Sequence, residues 1–193
     1  YIDGTSHTGG LLAGASAMAR FGFDDLAMAA ADKCVQVDPA TTSEALLFRF
    51  ELNIRRGRTE DAEAVLALMD RTLPADSQNR VELADAYERI KKPTESLRVL
   101  QALHENRAGG LGTDERMRMA WLYDSTGQRE KAVGVWKSMW EGQVNDAFRR
   151  LVEDRLVTLA AETGTLGDLA VELETKLADG TATKKDAGLL IRI

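Results

Sequence analysis

Residues Ser43–Pro74 read SEALLFRFELNIRRGRTEDAEAVLALMDRTLP, two helical patterns hinged at Gly57. Leu46, Leu47, Phe50 and Ile54 follow at spacings of three and four, the period of a helix with a broad apolar face. Ser43 is placed to cap that helix, its hydroxyl accepting from first-turn amides that have no intrahelical partner. Gly57 ends it, because a residue without a Cβ enters the left-handed region at little cost. Thr59 is placed to cap a second helix with Ala62, Val65, Leu66 and Met69 on its apolar side, and Pro74 stops it. One such hairpin cannot bury both apolar faces alone. It needs neighbours of the same kind.

The chain supplies them at a fixed period. Gly22 to Gly57, Ala27 to Ala62 and Pro39 to Pro74 are each 35 residues, while Gly57 to Gly127 and Ala62 to Ala132 are each 70, or two periods. Self-similarity near this length marks a solenoid of helix pairs. Ala62 and Ala132 then belong where the two helices of a hairpin cross. Between them a hairpin over residues 76–104 has Lys91-Lys92 at its turn in place of glycine. Pro93 follows, suited to a helical first turn where its missing N–H is no loss.

The expected organisation is a flexible Gly/Ser/Thr-rich segment over 1–10 and a helical repeat domain over 11–180. Its hairpins span about 11–39, 43–74, 76–104, 113–141 and 144–180, with Thr113 capping the fourth. A further helix opens near Thr183 and reads as the start of another repeat in a longer array. Its Leu189, Leu190 and Ile191 are expected to be partly exposed and to seek cover, by self-association or by packing back on the fifth hairpin.

These features resemble the tetratricopeptide repeat (TPR) family, whose pattern is W-x2-L-G-x2-Y, then A-x3-F, then P. Leu83-Ala84-x2-Tyr87 and Met119-Ala120-x2-Tyr123 match the first part. Ala27-x3-Ala31, Ala62-x3-Leu66 and Ala132-x3-Trp136 match the second, and Ser96-x3-Leu100 does so more loosely. The Trp of the family's first helix is missing from its position throughout. The resemblance covers about Leu11 to Met139 and implies an all-α, right-handed superhelical solenoid of antiparallel hairpins, about five repeats plus a trailing helix. A bacterial origin is expected from the Ala-, Arg- and Asp-rich, Lys-poor composition.

Composition bounds the chemistry. A net charge of −6 and the lack of any basic stripe argue against nucleic acid as a partner. No apolar run reaches the roughly 18–20 residues of a membrane span, so direct membrane insertion is not expected. The single Cys34 lies in the apolar phase of a helix and reads as a small buried hydrophobe. His7 and His104 have no ligands at metal spacing, and no P-loop, G-x-G-x-x-G or G-x-S-x-G motif is present. No enzyme activity, catalytic residue, metal or cofactor is expected. The compartment is left open between cytoplasm and periplasm.

The resemblance implies that the first helix of each repeat lines a concave groove that binds a protein or peptide. Reading that stripe gives Leu47 and Glu51, then Val81, Asp85 and Glu88, then Met117, Trp121 and Asp124. Leu12, Ser16, Ala19, Ile54, Asp154 and Thr158 extend it. Family members that clamp a C-terminal carboxylate carry Lys and Asn here, where this chain has Glu51, Asp85 and Trp121. An apolar strip with acidic spots suits a basic or amphipathic segment, and Trp121 could stack on a guanidinium or fill an apolar pocket. The readings are therefore a non-enzymatic protein–protein interaction scaffold, a structural spacer of a larger bacterial envelope or secretion protein such as one for polysaccharide export, or the regulatory module of an enzyme. Arg49, Arg55, Arg56 and Arg58 form a basic cluster at the second hairpin's turn, read as a solvated edge.

Overall fold

The computed structural model describes residues 8–37, 42–142 and 146–193. Pro39, His7 and the rest of residues 1–7 in the segment expected to be flexible lie outside the described residues. The described chain is all-α and divides into two compact units, with Gly110 the last residue of the first and Leu111 the first of the second.

The first unit holds three antiparallel hairpins: α1 (Thr8–Arg20) with α2 (Asp24–Val37), α3 (Thr42–Arg55) with α4 (Thr59–Thr72), and α5 (Asn79–Arg89) with α6 (Pro93–Asn106). The second holds α7 (Thr113–Ser125) with α8 (Arg129–Glu141), α9 (Asp146–Glu162) with α10 (Leu166–Ala178), and the short α11 (Lys184–Leu190).

Each hairpin turns through the same backbone device. After α3, Arg58 N–H reaches Asn53 C=O at 2.9 Å and Gly57 N–H reaches Ile54 C=O at 3.0 Å, the paired bonds of a Schellman motif. Gly57 takes φ 70° to make them. The same two bonds close the third hairpin, from Lys92 N–H to Tyr87 C=O at 2.9 Å and from Lys91 N–H to Glu88 C=O at 2.8 Å. Lys91 therefore adopts φ 59° without being glycine. Positive φ at positions 22, 57, 91, 127 and 164 marks steps of 35, 34, 36 and 37 residues, so the repeat persists where its glycine is replaced.

Small residues stand at the helix crossings. Ala27, Ala62, Ser96 and Ala132 are each fully buried in the first turn of a second helix. Around them Phe50, Leu66, Met69, Leu83 and Leu100 fill the first unit. Trp136, Met139, Leu156, Leu159 and Leu173 fill the second, and Cys34 and Trp140 are buried as well.

Several local expectations are corrected. Thr8–Gly10, placed in the flexible segment, are helical and open α1. Ser43 is not a cap, because α3 begins at Thr42. Its buried hydroxyl instead accepts from Asn79 Nδ2 at 2.6 Å, tying α3 to the start of α5. Thr59 and Thr113 are first helical residues rather than caps, with Arg58 and Gly112 before them. At α7 the Glu115 carboxylate accepts the Gly112 N–H at 2.6 Å and satisfies that helix start. Of the three residues expected to be partly exposed, Leu189 is fully buried, Leu190 is half-buried and Ile191 is 87% exposed, with α11 packed against α10 of the fifth hairpin. Lys185 adds a tie to α8, its Nζ donating to the C=O of Trp140 at 3.0 Å and of Glu141 at 2.8 Å. These bonds pin α11 onto the end of α8.

Candidate partner-binding site

The stripe residues divide between the units. In the first unit Leu47 and Val81 are half-buried, while Glu51 and Asp85 face solvent on α3 and α5. Ala19 does not belong to the surface stripe, since it is packed in a core cluster with Ala15, Ala27 and Leu52. Glu51 is not free to attract a basic partner. Arg89, one hairpin on, grips both its oxygens, with Nη2 donating to Oε2 at 2.7 Å and Nη1 to Oε1. The same guanidinium lies 5.3 Å from the Phe50 ring centroid. Glu88 turns back into its own hairpin and accepts from Ser96 Oγ at 3.0 Å. Burial raises its pKa above the ordinary glutamate value, against the opposing pull of that hydrogen bond.

In the second unit Met117 is half-buried and Trp121 follows one turn later, 41% exposed. Trp121 is held from two sides. The buried Trp136 ring meets it edge-on, with centroids 5.7 Å apart and planes at 86°. Arg155 of α9 lays its guanidinium 3.9 Å from the Trp121 centroid. Arg155 Nη2 donates to Asp124 Oδ2 at 3.0 Å, and Arg129 Nε donates to Asp124 Oδ1 at 3.1 Å. The guanidinium expected from a partner thus has a counterpart within the chain, and both oxygens of Asp124 are occupied. Farther along, Asp154 and Glu153 are paired with Arg192, and Thr158 donates to Asp154 C=O at 2.8 Å.

The basic cluster is likewise built into the packing. Arg55 and Arg56 reach Asp24 and Asp25 of α2. Arg49 Nε lies 3.0 Å from Asp32 Oδ1, close enough for an ion pair although neither atom forms a hydrogen bond. The sequence alone did not point to Arg89 and Arg155, nor to the bond of Ser96 with Glu88. A signal for the two arginines exists: Asp24–Arg55, Asp25–Arg56 and Asp124–Arg155 are each 31 residues apart, and Glu51–Arg89 is 38. Each separation is one repeat less or more a helical turn.

Among the described residues no group of His, Cys, Asp and Glu could hold a metal ion, and no helix is long and apolar enough to cross a membrane. No protein-family model matches the chain, and neither does any curated protein. Two solved structures resemble it over nearly its whole length. YrrB, a TPR protein with an unusual peptide-binding site, covers 92% of this chain and 89% of its own at 14% identity, with a TM-score of 0.53. The fold is TPR-like. PilW, a widely conserved type IV pilus biogenesis factor, agrees, covering 96% of this chain and 84% of its own at 16% identity with a TM-score of 0.52. At such identities the likeness concerns the TPR-like architecture and not the ligand.

Proposed function

We propose that this chain is a non-enzymatic protein–protein interaction scaffold that holds a partner segment against its first-helix stripe. That stripe is Leu47, Glu51, Val81, Asp85 and Glu88 in the first unit, and Met117, Trp121 and Asp124 in the second. The observation that carries the reading is Trp121, a large aromatic left 41% exposed yet fixed by Trp136 and Arg155. A pre-ordered aromatic gives up little conformational freedom on binding, and such residues dominate protein interfaces. Of the two partner characters expected, the ion pairs favour an amphipathic segment over a basic one, because Glu51 and Asp124 already serve internal arginines. Self-association through α11 would rest mainly on Ile191, since Leu189 is buried.

A phage-displayed random peptide library panned against the chain tests this. Enriched sequences should carry an apolar or aromatic anchor, and Trp121→Ala should weaken them about tenfold or more, as for an interface hot spot. Unchanged affinity in a variant whose circular dichroism matches the parent would remove the stripe as the site.

A further inference from the structure

The hairpin-to-hairpin seams of the first unit differ in one respect. Where α4 meets α6, Lys92 Nζ donates to Glu63 Oε1 at 2.8 Å, and Arg98 reaches Asp70. One repeat earlier, where α2 meets α4, Arg58 holds the position of Lys92, but Met28 holds that of Glu63. Arg58 therefore lacks the carboxylate that the register gives its counterpart. It attracts Asp25 only through space. A crevice of about 430 Å³ opens there between α2 and α4 over α3. Arg49, Arg58 and Arg71 line it, with Asp61 its one carboxylate and Met28 and Leu68 among its apolar walls. Arg58 and Arg71 make no ion pair among the described residues. The corresponding crevice of the second unit, between α8 and α10 over α9, has the opposite character. It is lined by Glu130, Asp168 and Glu172, with Lys137 already bound to Glu172.

We propose that the α2–α4 crevice docks an extended acidic segment of a partner protein. Arg58 and Arg71 stand at opposite ends of α4, about 20 Å apart at ~1.5 Å per residue, a distance an extended chain covers in about six residues. The segment accordingly presents one carboxylate to each arginine. Between them an apolar side chain rests on Met28 and Leu68. Charge complementarity selects the occupant: a basic segment would meet Arg58 and Arg71 against Asp61, while Arg49 is already paired with Asp32. This second-helix site is separate from the first-helix stripe and does not depend on it.

The test is an NMR titration of the 15N-labelled chain with a synthetic seven-residue peptide carrying Glu at both ends, Leu at its centre and small neutral residues between. Saturable shifts are expected at Arg58, Leu68 and Arg71, weakening as salt is added. The same peptide with Lys at both ends should cause none. Arg58→Glu with Arg71→Glu should lower affinity about fivefold or more, the combined effect of two exposed ion pairs. Arg58→Ala with Arg71→Ala serves as the milder variant should the charge reversal disturb folding. Trp121→Ala should leave this binding unchanged, which separates a failure here from a failure of the stripe. Absence of saturable shifts at millimolar peptide would overturn the proposal, as would equal affinity in the double variants. Equal or tighter binding at these residues by inorganic phosphate or a short single-stranded DNA would overturn it in favour of a small-anion or nucleic-acid site.

Discussion

Arg155 lies over the Trp121 ring and donates an N–H to Asp124, so a double-mutant cycle on Asp124 and Arg155 tests whether Asp124 helps to order the candidate anchor. The two charged side chains are 21% and 24% exposed, between a surface pair and a buried one. Fully exposed pairs contribute about 0.2–1 kcal/mol, and breaking a fully buried one costs about 3–5 kcal/mol. An intermediate coupling of about 1–1.5 kcal/mol follows. The guanidinium over the Trp121 ring adds roughly 0.5–1 kcal/mol. Arg155→Ala should therefore cost about 2 kcal/mol, and Asp124→Ala somewhat less, because the Arg129 end of its bridge is exposed. The assay is built in: the three tryptophans, at positions 121, 136 and 140, all lie in the second unit, so their fluorescence during urea unfolding reports that unit alone. Arg155→Ala should also quicken quenching of Trp121 by iodide. A coupling energy under about 0.3 kcal/mol would place the pair among ordinary surface bridges, and Asp124 would then contribute nothing to holding Arg155 over Trp121.

Lys91 carries the side chain of an L-residue at φ 59°, so Lys91→Gly should stabilise the first unit by about 1 kcal/mol. A urea midpoint followed by circular dichroism should rise, and no change would mean that the turn relaxes around the lysine. Glu88→Gln tests the raised pKa of that carboxyl. A group whose folded pKa is raised adds stability below its unfolded pKa and loses it as pH rises through the folded value. The neutral glutamine retains that stability, so the variant should be the more stable form at neutral pH, with the gap closing as pH falls below the ordinary glutamate range. A gap that widens on acidification would contradict the burial of Glu88.

How much of this was legible in the sequence depended on what each feature needs from its neighbours. Hairpin turns and crossings were readable because Gly57, Ala62 and Ala132 answer to backbone geometry and close packing within one hairpin. The turn at Lys91 kept its place without glycine because the flanking helices over-determine it. Helix starts were less legible. Ser43 has a cap's chemistry, yet the chain uses its hydroxyl for Asn79, a residue of the next hairpin. Leu189 looked uncovered because its burial depends on α11 folding back on α10, while Lys185 reaches Trp140, 45 residues away. At the candidate site the stripe positions could be listed from the period, but their electrostatic state could not. Whether Glu51 is available to a ligand depends on Arg89, which belongs to another repeat.

That dependence changes how charge on such a frame should be read. A carboxylate on a first helix is an attractor for ligand only if no arginine lies one repeat away, give or take a helical turn. Glu51 and Asp124 fail that condition, and on a second helix Asp24 and Asp25 are likewise taken by arginines of the next repeat. Among the cations Arg58 stands out for another reason: its counterpart Lys92 is hydrogen-bonded to Glu63, while Arg58 has Met28 at that place and attracts Asp25 only through space. A methionine there costs the seam an ion pair that contributes little when exposed, and it leaves an apolar wall beside a cation that desolvation would strengthen. A charge whose expected partner is replaced by an apolar side chain has an unmet interaction that an incoming segment can satisfy. A charge on the stripe that is already paired must first break a bond. Under the two proposals made above, recognition by charge falls to the second-helix crevice, and recognition by shape and apolar contact to Trp121.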